Sequence, residues 1–212
     1  MASSFKSLIE SLVNPKGPGP STTFSMFHIF YAFELMAKKP IGRNKLAEKL
    51  NVGEGAIRTI INHLKDSGLI VTSKGGCILT DKGVKVWKTF ETFFPKRVEV
   101  GKTALTTSDY SYAFLVKNKG DKVKSGIDQR DAAIMGGARR AIVIVFKNGH
   151  LIIESISNSL EKDFPEAANE ILKDLKPEDN DVIIIAGADK PLKAKRGAFA
   201  ASWVLVSNDD KP

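Results

Sequence analysis

Residues 55–70, GAIRTIINHLKDSGLI, constrain the fold of this chain most, because they join a helical pattern to a strand-like one. Apolar residues recur there at the spacing i, i+3, i+4 and i+7 of one helix face: Ile57, Ile60, Ile61 and Leu64. An Asp-Ser-Gly turn at 66–68 and a β-branched run at 70–72 then indicate a helix end and the start of a strand. The polar outward face of this helix lies in solvent or contacts a partner.

Two helices are predicted before this stretch. Residues 5–13 carry apolar side chains at helical spacing, and the Asn-Pro pair at 14–15 ends that helix, with a Pro/Gly-rich linker after it. The next helix is capped by Ser21 or Thr22 and ends before Pro40. Because this helix is apolar on nearly all sides, it must be covered twice, by a second domain or a second copy of the chain, and we expect a dimer contact there.

Four further elements complete the first half of the chain. A short helix ends at Asn51, a residue that tolerates the left-handed conformation, and Gly53 lies at or near the N-cap of the helix over 54–66. Two short strands flank a glycine-rich turn at 74–76, and Thr80 caps a last helix. After the helix over 5–13, the predicted order is therefore helix, helix, turn, helix, β-hairpin, helix.

The residues in these elements resemble the MarR/ArsR-type winged-helix transcription regulators. The segments LAEKLNVGEGAIRTIINHLKDSGLI and GGCILTDKG show an L-A-x-x-L helix, a turn, a helix ending in L-x-x-x-G-L-I, a glycine wing and L-T-x-x-G. This resemblance covers roughly residues 22–94. It implies a winged helix-turn-helix domain, here assigned to residues 1–95, with the helix over 54–66 as its recognition helix.

A recognition helix places its outward side chains against base edges and phosphates in the major groove. We expect Arg58 to bind a guanine, Asn62 an adenine, and Thr59 a phosphate or a thymine methyl group. The start of the preceding helix is expected to contact a phosphate, and Lys74 at the tip of the glycine wing is expected to reach the DNA backbone or the minor groove. The predicted DNA-binding residues are Arg43, Asn44, Arg58, Thr59, Asn62, Lys65 and Lys74.

The charge distribution agrees with a polyanionic partner. Residues 1–95 contain 13 Lys/Arg and 7 Asp/Glu, a net charge of +6, whereas residues 96–212 contribute only +2 of the total of +8. Two acidic residues on the same helix, Glu54 and Asp66, oppose this reading because they repel phosphates. Winged helices also serve as protein-interaction modules, so a scaffold protein is an open alternative.

Several other classes are disfavoured by composition. No apolar stretch reaches the roughly 20 residues needed to span a bilayer, and no signal peptide is recognisable, so we expect a cytoplasmic protein. The single cysteine, Cys77, indicates a reducing compartment. One cysteine and three scattered histidines do not suggest a metal site, and we expect no cofactor. The sequence contains neither a nucleophile elbow nor a phosphate-binding glycine loop, so no motif indicates an enzyme.

The second half, residues 96–212, is predicted to be a small α/β domain, which makes the whole chain α+β. About five strands and three helices are expected, with a buried strand at DVIIIAG, an amphipathic helix over 159–175 and a helix over 190–206. The pair Asn148-Gly149 between two apolar runs predicts a hairpin with a type I′ turn.

Two clusters in this half are candidate sites for a small anionic effector. Ligands of α/β sheets bind beyond the carboxyl ends of strands and at helix N-termini. One cluster lies in a helix expected to be capped by Asp128, and the other follows the buried strand. The alternatives are an N-cap with surface ion pairs and a solvated basic face. The predicted ligand-binding residues are Asp128, Arg130, Asp131, Asp189, Lys190, Lys193 and Arg196.

The stretch GIDQRDAAIMGGARRA resembles a largely archaeal family of winged-helix proteins with a C-terminal domain of unknown function. Together with the first half, this predicts a dimeric, sequence-specific transcription regulator that binds double-stranded DNA and whose second domain senses a small ligand. An enzyme acting through the second domain is a further alternative, in which Asp128, Arg130 and Asp131 perform acid–base chemistry.

Overall fold

The computed structural model describes residues 2–14 and 22–207, with side chains from Phe5 onward. The chain divides into two compact units, Met1–Phe90 and Glu91–Pro212. The division falls after Phe90, within the last helix of the first half, whereas the sequence analysis placed it after residue 95. Each unit is described by itself below. No helix in the described part of the chain is long and apolar enough to cross a membrane.

The first unit consists of helices and one short hairpin in the predicted order. Its elements are α1 (Ala2–Val13), α2 (Met26–Lys38), α3 (Arg43–Leu50), α4 (Glu54–Asp66), β1 (Ile70–Ser73), β2 (Gly76–Leu79) and α5 (Asp81–Phe93). Gly53 is the N-cap of α4, and Asn51 ends α3 in the left-handed conformation with φ 54°, both as predicted. Thr80 caps α5, because its hydroxyl accepts a hydrogen bond of 3.1 Å from the Gly83 N–H.

The N-terminus of α2 differs from the prediction. Its N-cap is Ser25, whose backbone N–H donates to Nδ1 of His28 at 2.9 Å in a reciprocal capping box. Thr22 does not cap the helix, since its hydroxyl donates to the Val13 carbonyl at 2.8 Å. The other predicted cap, Ser21, lies outside the described residues. A histidine at the third helical position takes the place of the Glu or Gln that usually completes such a box.

Helix α2 is covered within its own unit. The ring of Phe5 on α1 lies 4.9 Å from that of Phe90, which in turn lies 5.3 Å from Phe30 on α2. Nδ1 of His63 on α4 hydrogen-bonds the carbonyl of Leu12 at 2.8 Å and so ties α1 to α4. The sequence predicted that α2 needs a second copy to cover it. Helix α1 supplies that cover, so the apolar character of α2 no longer argues for a dimer.

The hairpin of the first unit has a third, single-residue strand beside it. Strands β1 and β2 pair antiparallel from Ile70–Leu79 to Ser73–Gly76. Ile41, between α2 and α3, pairs with Cys77 through two backbone hydrogen bonds of 3.1 and 2.8 Å. The hairpin is therefore attached to the segment that leads into α3.

The second unit contains a five-stranded sheet with helices on both faces. Its elements are β3 (Lys96–Val100), β4 (Tyr110–Val116), a 3₁₀ turn (Gly120–Lys122), α6 (Ile127–Met135), β5 (Arg140–Lys147), β6 (His150–Ile152), α7 (Leu160–Asp163), α8 (Pro165–Leu175), β7 (Val182–Ala188) and α9 (Pro191–Ser207). The hairpin turn between β5 and β6 has positive φ at both Asn148 and Gly149, as a type I′ turn requires.

The sheet of this unit is wholly antiparallel, with strand order β3-β4-β7-β5-β6. The predicted α/β label for this half is therefore wrong, and the unit is α+β. The continuous apolar run of β7 reflects its central position with helices on both faces, since all seven of its residues are buried. The predicted helix over 159–175 is two helices, because the chain breaks at Phe164 before Pro165.

The two faces of the sheet have different helical covers. Leu160 of α7 and Ile171 of α8 belong to one apolar core with Ile144 and Ile183. On the other face, the rings of Phe114 on β4 and Phe199 on α9 lie 6.2 Å apart. Helices α6 and α9 pack together through small residues: a methyl group built on Gly197 would lie 2.6 Å from Cβ of Ala138. Close packing of this kind explains the GGA segment that follows α6.

Candidate nucleic-acid interface

Helices α3 and α4 each begin at a glycine N-cap, Gly42 and Gly53, and are joined by the turn after Asn51. The apolar stripe of α4 is buried, as the spacing predicted, which directs the residues between its members outward. Most of the predicted DNA-binding residues are exposed on this side or nearby: Arg43, Asn44, Arg58, Asn62, Lys65 and Lys74.

Arg58 is the most prominent cation on the outward face of α4. Its side chain is 60% exposed, and NH2 donates to Oε1 of Glu54 at 2.6 Å, one helical turn earlier. The same Glu54 oxygen lies 3.6 Å from NH2 of Arg43, the first residue of α3. One carboxylate thus contacts two arginines that belong to different helices.

This arrangement lowers the pKa of Glu54 below its ordinary value. The largest cause is the hydrogen bond from Arg58, followed by the charges of Arg58 and Arg43. The carboxylate is therefore ionised at neutral pH. Sequence reasoning treated Glu54 only as a residue that repels phosphate, although its i, i+4 spacing to Arg58 was a signal for the pair.

Among the predicted DNA-binding residues, Thr59 is the least accessible to a DNA partner. It is half-buried, and its hydroxyl donates to the Gly55 carbonyl at 3.0 Å within α4. Threonine hydroxyls in helices often form this bond to the preceding turn. The hydroxyl proton is therefore engaged in the helix, and only the oxygen lone pairs and the methyl group can meet DNA.

Two lysines extend the basic surface beyond the centre of α4. Lys74 is exposed in the two-residue turn between Ser73 and Gly76 at the tip of the hairpin. Lys65, in the last turn of α4, lies close enough to β2 for its charge to act on Cys77. Burial is the larger effect there and raises the pKa of the Cys77 thiol, which keeps it protonated at neutral pH.

The predicted effector residues of the second unit form two separate groups. Asp128, Arg130 and Asp131 are exposed on α6, where Nε of Arg130 lies 4.0 Å from Oδ1 of Asp131. The N-cap of α6 is Gly126, with φ 72°, rather than the predicted Asp128, because the backbone there turns in the left-handed region. Arg130 also borders an open groove of about 210 Å³ beside β5, whose other lining residues are mostly aliphatic.

The second group is engaged in contacts within the unit. Asp189 lies 3.1 Å from Nζ of Lys193 and 3.3 Å from NH2 of Arg139, a residue that the sequence analysis missed. The hydrogen bond from Lys193 is the largest of the causes that lower the pKa of Asp189. Nε of Arg196 donates to the Gly136 carbonyl at the end of α6, and Lys190 is exposed.

The histidines lie in different parts of the fold. His28 caps α2, His63 binds the Leu12 carbonyl, and Nδ1 of His150 lies 3.7 Å from Glu161. Among residues 2–14 and 22–207, no three His, Cys, Asp or Glu side chains are grouped so that they could hold a metal ion.

Comparisons with known proteins agree with this two-part arrangement. Residues 30–85 match the model of the PH0730-like, N-terminal domain, and residues 107–205 match a domain of unknown function, DUF4443. The expected C-terminal domain of unknown function is thus confirmed. Neither description names an activity.

The chain is also similar to a solved structure, the hypothetical protein PH0730 from Pyrococcus horikoshii OT3. The TM-score is 0.72 at 29% identity, and the match covers 89% of this chain and 96% of that one. No protein of curated function matches this chain. The solved structure therefore supports the fold of this chain and assigns it no function.

Proposed function

We propose that this chain is a sequence-specific DNA-binding regulator whose first unit is a winged helix-turn-helix domain. The observation that carries the proposal is the outward face of α4, where Arg58, Asn62 and Lys65 are exposed over a fully buried apolar stripe. Arginine and asparagine are the side chains best suited to bidentate contacts with guanine and adenine in the major groove.

The surroundings of α4 support this reading. In the proposed domain, α3 and α4 are the helix-turn-helix, the β1–β2 hairpin is the wing, and Ile41 adds a third short strand to it. Arg43 and Asn44 lie in the first turn of α3, where free backbone N–H groups favour a phosphate. Lys74 at the wing tip adds a further cation for the DNA backbone.

We propose further that two copies bind a pseudo-palindromic site, as such domains do when two recognition helices occupy successive major grooves. With α2 covered by α1, the surface that joins the copies lies elsewhere. The second unit is proposed to respond to a small ligand, and its groove bounded by Arg130 is the best candidate site. The ligand response is independent of DNA binding, whereas the arrangement of two copies on one site depends on it.

The first experiment is a fluorescence-anisotropy titration of genomic duplexes at two salt concentrations. Wild type, Arg58→Ala and Lys85→Ala are compared, because Lys85 is an exposed cation on α5, outside the helix-turn-helix and wing. We expect a steep salt dependence in wild type and loss of preference for selected over random DNA in Arg58→Ala alone. Absence of binding by wild type at low salt would reject the proposal and favour a protein-interaction scaffold.

A further inference from the structure

We infer that Glu54 is a specificity-determining residue of the α4 surface: its carboxylate holds Arg58 and Arg43 back from non-specific phosphates and itself selects a base with an exocyclic amino group. The inference rests on the proposed function, because it concerns the DNA that the same surface binds. It goes beyond that function in assigning a role to an acidic residue within a basic surface.

The carboxylate of Glu54 lies between the two arginines. Oε1 of Glu54 is 2.6 Å from NH2 of Arg58 and 3.6 Å from NH2 of Arg43. Glu54 and Arg43 are the first residues of α4 and α3, so the contact joins the N-terminal ends of both helices. These are the two places where backbone N–H groups would otherwise favour a phosphate. A phosphate that approaches either end therefore meets a carboxylate that repels it and two arginines whose positive charge this carboxylate partly neutralises.

The contacts of Glu54 with the two arginines contribute little to the free energy of folding. The three side chains are 47–64% exposed, so the ion pairs themselves add little to folding stability. First-turn glutamates do stabilise helices through the macrodipole, and that effect alone would explain an acidic residue at this position. It would not explain why the same carboxylate lies between the two cations best placed to bind phosphate. The carboxylate therefore lowers the affinity for DNA, through its repulsion of phosphates, more than it changes folding stability.

A particular base sequence can offset the repulsion between the Glu54 carboxylate and the DNA phosphates. A carboxylate accepts a hydrogen bond from the amino group of cytosine, whereas arginine donates two to guanine. Arg58 contacts Glu54 through Nη2 alone, so the other N–H donors of Arg58 are available for a base. The pair therefore matches a major groove that presents guanine to Arg58 and a neighbouring cytosine amino group to Glu54. Random duplexes lack this match and encounter only the repulsion.

The test compares wild type, Glu54→Gln and Asp81→Asn. Asp81 is the matched control, because it is also the exposed first residue of a helix, α5, and its substitution removes the same charge. Binding of a selected duplex and of a random duplex is measured by anisotropy at several salt concentrations between 50 and 200 mM. Circular dichroism verifies that all three proteins are folded.

We expect Glu54→Gln to bind random DNA more tightly and to show a salt dependence steeper by about one phosphate contact, equivalent to about threefold in affinity across this salt range. Its ratio of selected to random affinity should fall by about fivefold, because the neutral amide oxygen accepts a weaker hydrogen bond from the cytosine amino group than the carboxylate does. Asp81→Asn should change both duplexes by the same small factor.

Two results overturn the inference and are distinguishable. If wild type binds duplexes with a steep salt dependence but Glu54→Gln and Asp81→Asn behave alike, Glu54 acts only through net charge and the helix dipole. The proposed function then stands without this role. If wild type binds neither duplex at low salt, DNA binding itself is rejected, and the role of Glu54 with it.

Discussion

Gly83 lies so close to the carbonyl oxygen of Leu69 that a methyl group built on its α-carbon would be 2.1 Å from that oxygen. Gly83 is in the first turn of α5, and Leu69 is the fully buried residue that precedes β1. The contact packs the last helix of the first unit against the start of the hairpin. It gives a physical reason for the glycine in the segment L-T-x-x-G, where a side chain has no space.

Gly83→Ala should therefore destabilise the first unit by about 1–3 kcal/mol, because the added methyl group must displace backbone rather than a flexible side chain. Gly55→Ala is the matched control: it adds the same group in α4, where nothing lies within 4 Å of the added carbon. Because alanine has a higher helix propensity than glycine, Gly55→Ala should stabilise the first unit by up to about 0.5 kcal/mol. Urea unfolding of both variants checks this, and equal midpoints would contradict the contact.

Helix α1 should contribute to stability through its buried face. Ile9 is fully buried, and Ile9→Ala should cost about 2–4 kcal/mol through lost burial and the cavity that remains. Exposed Ser7 on the same helix is the control, and Ser7→Ala should have almost no effect. Thermal unfolding measures the difference. If Ile9→Ala leaves the transition unchanged, α1 does not cover α2 in solution, and the case for a second copy on α2 returns.

Glu161 should make the second unit sensitive to acid. Burial raises the pKa of its carboxyl, but hydrogen bonds from the Leu151 N–H and the Ser159 hydroxyl, both 2.8 Å, outweigh it, and the pKa is lowered. His150, 3.7 Å away, acts in the same direction when protonated. Because this carboxyl has a lower pKa in the folded than in the unfolded state, its ionised form stabilises the fold at pH values above the unfolded-state pKa. This stabilisation is lost as the pH falls through the folded-state pKa.

The corresponding variant is Glu161→Gln, which should lower stability at pH 7 by about 1 kcal/mol, the difference between hydrogen bonds to a charged and to a neutral acceptor. On acidification toward pH 3 the difference from wild type should shrink, because the wild-type carboxyl loses its charge as the pH falls through its lowered pKa. Glu154→Gln, at an exposed position, is the control and should be neutral at both pH values. Urea unfolding at pH 7 and pH 3 separates these cases, and a pH-independent difference would contradict the charge-based explanation.

Lys74 should contribute to DNA affinity without contributing to sequence preference. It lies at the hairpin tip, where a cation reaches the backbone rather than base edges. Lys74→Ala should weaken binding of selected and random duplexes by the same factor and reduce the salt slope by about one. Anisotropy titrations with both duplexes measure this. A loss confined to the selected duplex would instead place Lys74 against a base.

The sequence by itself determined the local structure of the first unit. The stripe on α4, the left-handed Asn51 and the glycine N-cap Gly53 follow from helical spacing and backbone preference, which act over a few residues. The same holds for the type I′ turn at Asn148-Gly149. It also pointed to the exposed side chains Arg58, Asn62 and Lys65, because residues opposite a buried stripe lie outward.

Only the tertiary structure decided contacts between distant segments. Nothing local predicts that α1 covers α2, that β7 is the central strand of an antiparallel sheet, or that Arg139 pairs with Asp189. An apolar run shows that a segment is buried but not which element covers it. Likewise, the sequence placed Glu54 four residues before Arg58, but only the approach of α3 showed that Arg43 meets the same carboxylate oxygen. Burial and charge pairing depend on where the chain returns in space, which local spacing does not specify.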